Sequence, residues 1–141
     1  MSTGKTRDGG NSVTGGLSIQ NLTRTKLSKA QFERARTLVL PSWDISLAFV
    51  GPARAQTLNK SLRRKTYTPN VLSYEVGPHS GEIIICPSVA KKQAPEYGMS
   101  ASAFSLLLFI HGLFHLKGMA HGTTMEKSER AILARVLRVR P

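Results

Sequence analysis

Residues 101–121 read ASAFSLLLFIHGLFHLKGMAH, an apolar run that passes directly into three histidines. Ser100 stands ahead of the run as a helix cap. Gly118 closes it, glycine being the residue that most readily takes the left-handed conformation at a helix end. The stretch therefore predicts one helix that starts apolar and ends in a pair of histidines, His111 and His115, spaced one turn apart. The apolar part, about Ala101 to Ile110, is far too short to span a bilayer, which takes about 20 residues. Such a helix belongs in the core of a folded domain.

Working outward, the remaining elements are short and punctuated. Leu17-Ser18-Ile19-Gln20-Asn21-Leu22 alternates apolar and polar side chains, as a half-buried strand does. Ser28 with Gln31 forms a capping-box pattern ahead of a helix to about Leu38. Ile45 to Val50 reads as a second strand, stopped by Gly51-Pro52, and Pro52 suits the first turn of a helix to about Leu62. Val71 to Val76 and Glu82 to Cys86 read as strands of a hairpin across Gly77-Pro78-His79-Ser80-Gly81. Ser88 to about Tyr97 predicts a short helix limited by Pro95, and Thr123 with Glu126 a second capping box opening a basic helix to about Arg138. Residues 1–16, rich in Gly, Ser and Thr, read as a flexible tail, and 17–141 as one domain. The fold class is α+β, a small mixed sheet of about four strands surrounded by helices, and its order does not fit a doubly wound plan.

Twenty Lys and Arg against eight Asp and Glu give a net charge of +12 in 141 residues. So basic a small domain points to a polyanionic partner, and nucleic acid fits better than a membrane because no basic amphipathic helix carries a clean apolar stripe. A single cysteine, Cys86, excludes an internal disulfide and reads as a buried thiol in a reducing compartment. The N-terminal segment lacks the apolar core of a secretory signal, so a cytoplasmic location is expected.

Three of the four histidines fall within HGLFHLKGMAH, residues 111–121. A chain reversal at Gly118 would bring His121 back to complete a trigonal set with His111 and His115. Three imidazoles with an open fourth position describe a catalytic zinc site, with one ion per chain. Nickel, copper or cobalt would also bind such a set. Metzincin proteases share the spacing but place a general-base glutamate where Gly112 stands here, which argues against peptide hydrolysis.

HGLFHLKGMAH closely resembles the H-G-x-L-H-L-x-G-Y-D-H signature of the YbeY family, zinc endoribonucleases of ribosomal RNA maturation. Leu58-Asn59-Lys60-Ser61-Leu62-Arg63 is similar to that family's L-N-x-x-Y-R, Asn70-Val71-Leu72-Ser73-Tyr74 to its D-V-L-S-F, and Gly81 to Cys86 to its G-D-I-V-I-C. The resemblance runs from about Leu17 to Leu137. It implies His111, His115 and His121 as metal ligands, and Arg63, facing the metal cleft, with His111 as catalytic residues. Ser73 falls beside that cleft. The resemblance further implies cleavage of single-stranded RNA in ribosomal RNA processing, with the small ribosomal subunit as partner. Arg64 and Lys65, and further off Lys91 and Lys92, are candidates for following an RNA backbone. Asn70 and Ala120 stand where the family has Asp, Leu62 where it has Tyr, and Arg64 where it has Gly. The two lost carboxylates leave a second reading open, a non-catalytic zinc-containing RNA-binding assembly factor of the ribosome.

Overall fold

Alternation and apolar runs decide the sheet. The structure, a computed structural model, describes residues 14–138, so most of the segment read as a tail lies outside the described residues. Strand β1 spans Gly16–Asn21, β2 Asp44–Phe49, β3 Val71–Gly77 and β4 Ser80–Ile85. They lie in the order β1-β2-β4-β3, with β1, β2 and β4 parallel and β3 antiparallel to β4. In β2 the alternating residues Ile45, Leu47 and Phe49 are buried toward one face. In β4, Ile83 and Ile85 join that face while Ile84 is buried on the other, so the inner strand reads as a continuous apolar run. The β3–β4 hairpin expected from the sequence is present and turns at Pro78-His79.

The two parallel pairings require crossovers, and the helices between the strands supply them. Helix α1 (Lys29–Val39) crosses one face and α2 (Pro52–Arg63) the other. Ser28 caps α1 as expected, its Oγ accepting from the Gln31 N–H at 3.3 Å. Pro52 opens α2. Helix α3 (Pro87–Gln93) tightens into a 3-10 turn, Ala94–Tyr97, around Pro95, so the helix expected from Ser88 to Tyr97 changes its winding part-way. Cys86, ahead of α3, is buried as expected.

Helix α4 (Ala101–Lys117) lies at the centre of the larger core. Phe104 through Ile110 are all buried, so the helix is apolar all round, as a helix enclosed by others must be. Its Ser100 cap accepts from the Ala103 N–H at 3.1 Å. Helix α5 (Thr123–Arg138) packs alongside with Met125, Leu133 and Val136 inward. The capping box expected at Thr123 does not form: Thr123 already lies within the helix, and the Glu126 N–H donates to the Gly122 carbonyl at 3.0 Å. The fold starts slightly before the expected boundary, since the Gly15 N–H donates to the Pro41 carbonyl at 2.7 Å. Among the described residues, no single helix is long and apolar enough to cross a membrane.

Candidate active site at the end of the central helix

Where α4 ends, its histidines come into the open. His111 is half-buried and His115 exposed, on the same side of the helix. Gly118 takes φ +98°, and its N–H donates to the His115 carbonyl at 3.0 Å while that of Met119 donates to Phe114 at 3.1 Å. These two bonds satisfy the last carbonyls of the helix and reverse the chain. His121 is thereby returned to its two predecessors. Its ring centre stands 5.0 Å from that of His111 and 5.8 Å from that of His115, with interplanar angles of 72° and 73°. Among the described residues, no group of three or more His, Cys, Asp or Glu is closed into a metal cage. The three rings are gathered but their nitrogens do not yet converge.

The surroundings treat the three rings differently. Glu129 of α5 places Oε2 2.5 Å from His111 Nδ1. A carboxylate there holds the proton on Nδ1 and leaves the Nε2 lone pair free to bind. Glu129 is itself buried, so the pair anchors α5 to α4 as it fixes the ring. At His115, partial burial holds the pKa below the ordinary histidine value, helped by the charges of His121, His111 and Arg63. Arg63, the last residue of α2, thus acts electrostatically on the histidine cluster from a different part of the sequence.

The connection after Arg63 is folded back on its own helix. Asn59, fully buried, donates from Nδ2 to the Tyr67 carbonyl at 2.9 Å, and Gln56 donates to Thr66 at 2.8 Å. Arg64 takes the left-handed conformation, φ +57° and ψ +32°, and with Lys65 is exposed. Ser73 lies on β3 against α4: a Cβ placed on Gly112 would stand 3.3 Å from Ser73 Cβ and 3.1 Å from Ile83 Cδ1. Gly112 therefore faces the sheet at close range. A glutamate there would be driven into the strands, so the protease general base has neither the residue nor the room. Lys91 lines a separate cavity with Arg24 and Lys26, away from the histidines, and Lys92 is exposed on α3.

Beside His111 and His121 opens a cavity of about 720 Å³, with Asn70 and Val71, where β3 begins, on one side and α5 on the other. The residues from 14 to 137 match the family model described as endoribonuclease YbeY. The chain belongs to the YbeY endoribonuclease family. Proteins named endoribonuclease YbeY from Bdellovibrio bacteriovorus and Thiobacillus denitrificans are each 34% identical to it, covering 77% of this chain and 68% and 81% of their own lengths. A third, from Rubrobacter xylanophilus, is 34% identical over 86% of this chain and 84% of its own. In fold, the chain is similar to the solution structure of a protein from Thermotoga maritima, with a TM-score of 0.62 at 22% identity over 84% of this chain and 89% of that one. Within this YbeY fold the four sequence segments that carry the resemblance occupy the end of α2, β3, β4 and the end of α4.

Two residues of the site received no role from the sequence, although Asn59 lies within the segment similar to L-N-x-x-Y-R. Glu129 was legible as an anomaly: Met125, Glu129, Leu133 and Val136 share the buried side of α5, and a carboxylate on an apolar stripe demands a partner. Asn59 gave no such signal, because nothing in the sequence ties it to a carbonyl eight residues on.

Proposed function

We propose that this chain is a zinc-dependent endoribonuclease that cuts single-stranded RNA in the cytoplasm, with ribosomal RNA and the small ribosomal subunit as its setting. The observation that carries this reading is the gathering of three imidazoles and one arginine charge where a buried helix ends. His111, His115 and His121 would hold the ion. An imidazole bound at about 2.0–2.1 Å has its ring centre roughly 3 Å from the metal, so two rings at a tetrahedral angle stand roughly 5 Å apart. The separations about His121, 5.0 and 5.8 Å, are close to that value, and small side-chain rotations would bring the nitrogens together. Three neutral nitrogens suit zinc.

When bound, such an ion supplies Lewis acidity toward a phosphoryl oxygen and makes a water acidic enough to attack at neutral pH. The chain's own residues do the rest. Glu129 keeps the His111 ring in one tautomer and one orientation. Partial burial and neighbouring charge keep His115 neutral, with its lone pair available. Arg63 presents a planar, permanently charged donor to a non-bridging phosphate oxygen, where negative charge grows as the bond breaks. Arg64 and Lys65, next along the chain, follow the backbone by charge alone, and the Ser73 hydroxyl is a further candidate for an RNA contact at the cleft.

Cleavage of a single-stranded oligoribonucleotide by the purified protein tests this. The wild type should cut in the presence of zinc, fall silent on chelation and recover on re-addition. Arg63→Ala should lose on the order of 100-fold or more in rate, the usual effect of removing a transition-state donor, while RNA affinity falls far less. Arg63→Lys should rescue poorly. A wild type that binds RNA and zinc but cuts under no divalent metal would favour the assembly-factor reading. Unchanged cutting by Arg63→Ala would remove the role given to that residue.

A further inference from the structure

The cavity beside the histidines has a wall that phosphate chemistry leaves unused. Tyr97 ends the 3-10 turn and stacks on Phe104 of α4, ring centres 4.7 Å apart and planes 25° from parallel. Phe104 is buried, but 52% of Tyr97 is exposed, so one ring backs the other and leaves its outer side to solvent. Both rings line the same cavity as His111 and His121, and Leu107, Leu108 and Met125 continue the apolar wall between them. The platform is held in place. Gly98 takes φ +65° and donates to the Pro95 carbonyl at 3.0 Å, and Met99 donates to Ala94 at 3.1 Å, which together fix the turn that carries Tyr97.

Charge does not account for what this cavity would bind. Its two cations, Lys127 and Arg130, are matched by two carboxylates, Glu126 and Glu129, so it is no simple anion trap in an otherwise basic protein. What distinguishes it is an exposed, backed aromatic face within the same cavity as the histidines. At about 720 Å³ it has room for a nucleotide, since small-molecule sites typically run about 300–1,000 Å³.

We propose that Tyr97 is a nucleobase-stacking residue, and that the cavity between Tyr97 and His111 is the subsite for an unpaired base next to the phosphate being cut. This rests on the ribonuclease reading and names how the same cleft selects its substrate. A base inside a duplex has both faces covered by its neighbours and is tied to its pair, so it cannot settle on Tyr97 without being pulled out. A single-stranded base can. Selection for single strands then comes from one aromatic face and requires no contact to a base edge.

A fluorescent base analogue, 2-aminopurine, placed in a short single-stranded RNA reports stacking whether or not the strand is cut. Binding to the full-length wild type should quench it, and Tyr97→Ala should abolish the quench and weaken binding on the order of tenfold, the usual size of one base–aromatic stack. Tyr97→Phe should behave as wild type, which separates loss of the ring from loss of the hydroxyl. An oligonucleotide with an abasic nucleotide at the reporter position should bind wild type and Tyr97→Ala alike. Equal quenching by wild type and Tyr97→Ala at every reporter position would overturn the proposal, as would a Tyr97→Ala defect that persists in full on the abasic strand. Quenching through Tyr97 without any cleavage would keep the subsite and defeat the nuclease reading. Cleavage with no dependence on Tyr97 would do the reverse.

Discussion

Two helices end beside the same cluster, and they end by the same device with different residues. At the end of α4 the left-handed position is Gly118, at φ +98°. At the end of α2 it is Arg64, at φ +57°. Side chains other than glycine reach the left-handed region at about +50° to +70°, at a cost of roughly 1–2 kcal/mol, so +98° lies beyond what they take and +57° lies within it. The histidine end is therefore built on a turn that only glycine makes easily, and is braced by a buried helix behind and by Glu129 alongside. The arginine end carries strain that a glycine would relieve, at the position where the family signature has one. One end fixes the geometry of the histidines. The other keeps an extra cation next to Arg63 at a cost in stability.

The sharpest way to break this contrast is to substitute both turns. Gly118→Ala should lower unfolding stability in a urea titration by about 1–2 kcal/mol or more, because alanine cannot take φ +98° without strain. A loss within error of zero would mean that the turn relaxes and does not constrain His121. Arg64→Gly should act in the opposite direction and more weakly. Relief of left-handed strain is partly offset by the greater freedom of glycine in the unfolded chain, leaving a gain below about 1 kcal/mol. The same variant should bind single-stranded RNA with a log–log salt slope shallower by about 0.7, one phosphate contact fewer. If stability rises while the slope stays as it was, Arg64 is strained for no purpose in RNA binding.

The sequence was most informative where local rules act alone. Ser28 and Ser100 cap their helices, Gly118 ends α4, Pro52 opens α2, and the hairpin lies where its turn residues placed it. The partnering of β2 with both β1 and β4 was not legible, since parallel pairing is set by crossover packing and not by any residue in the strands. Thr123 misled because Gly122 offers its carbonyl to the first turn of α5, and Thr123 itself is already helical. At the site, the 111–121 window located the histidines because helix period and one glycine suffice to gather them. Arg63 was reached only through resemblance, as its approach to His115 depends on how α2 crosses the sheet. The stacked Tyr97 was passed over because aromatics are sparse in the chain, and its backing by Phe104 depends on the bend between the 3-10 turn and α4.

Metal content reads most directly whether the three imidazoles act as one site. The purified chain, dialysed against zinc and then against metal-free buffer, should retain about one zinc per chain by elemental analysis. His115→Ala should retain little, because two imidazoles hold an ion far less tightly than three. His79→Ala should retain as much as wild type, since His79 stacks on Trp43 at the β3–β4 turn and takes no part in the cluster. Full occupancy in His115→Ala, or no retained zinc in the wild type, would contradict a three-histidine metal site at the end of α4.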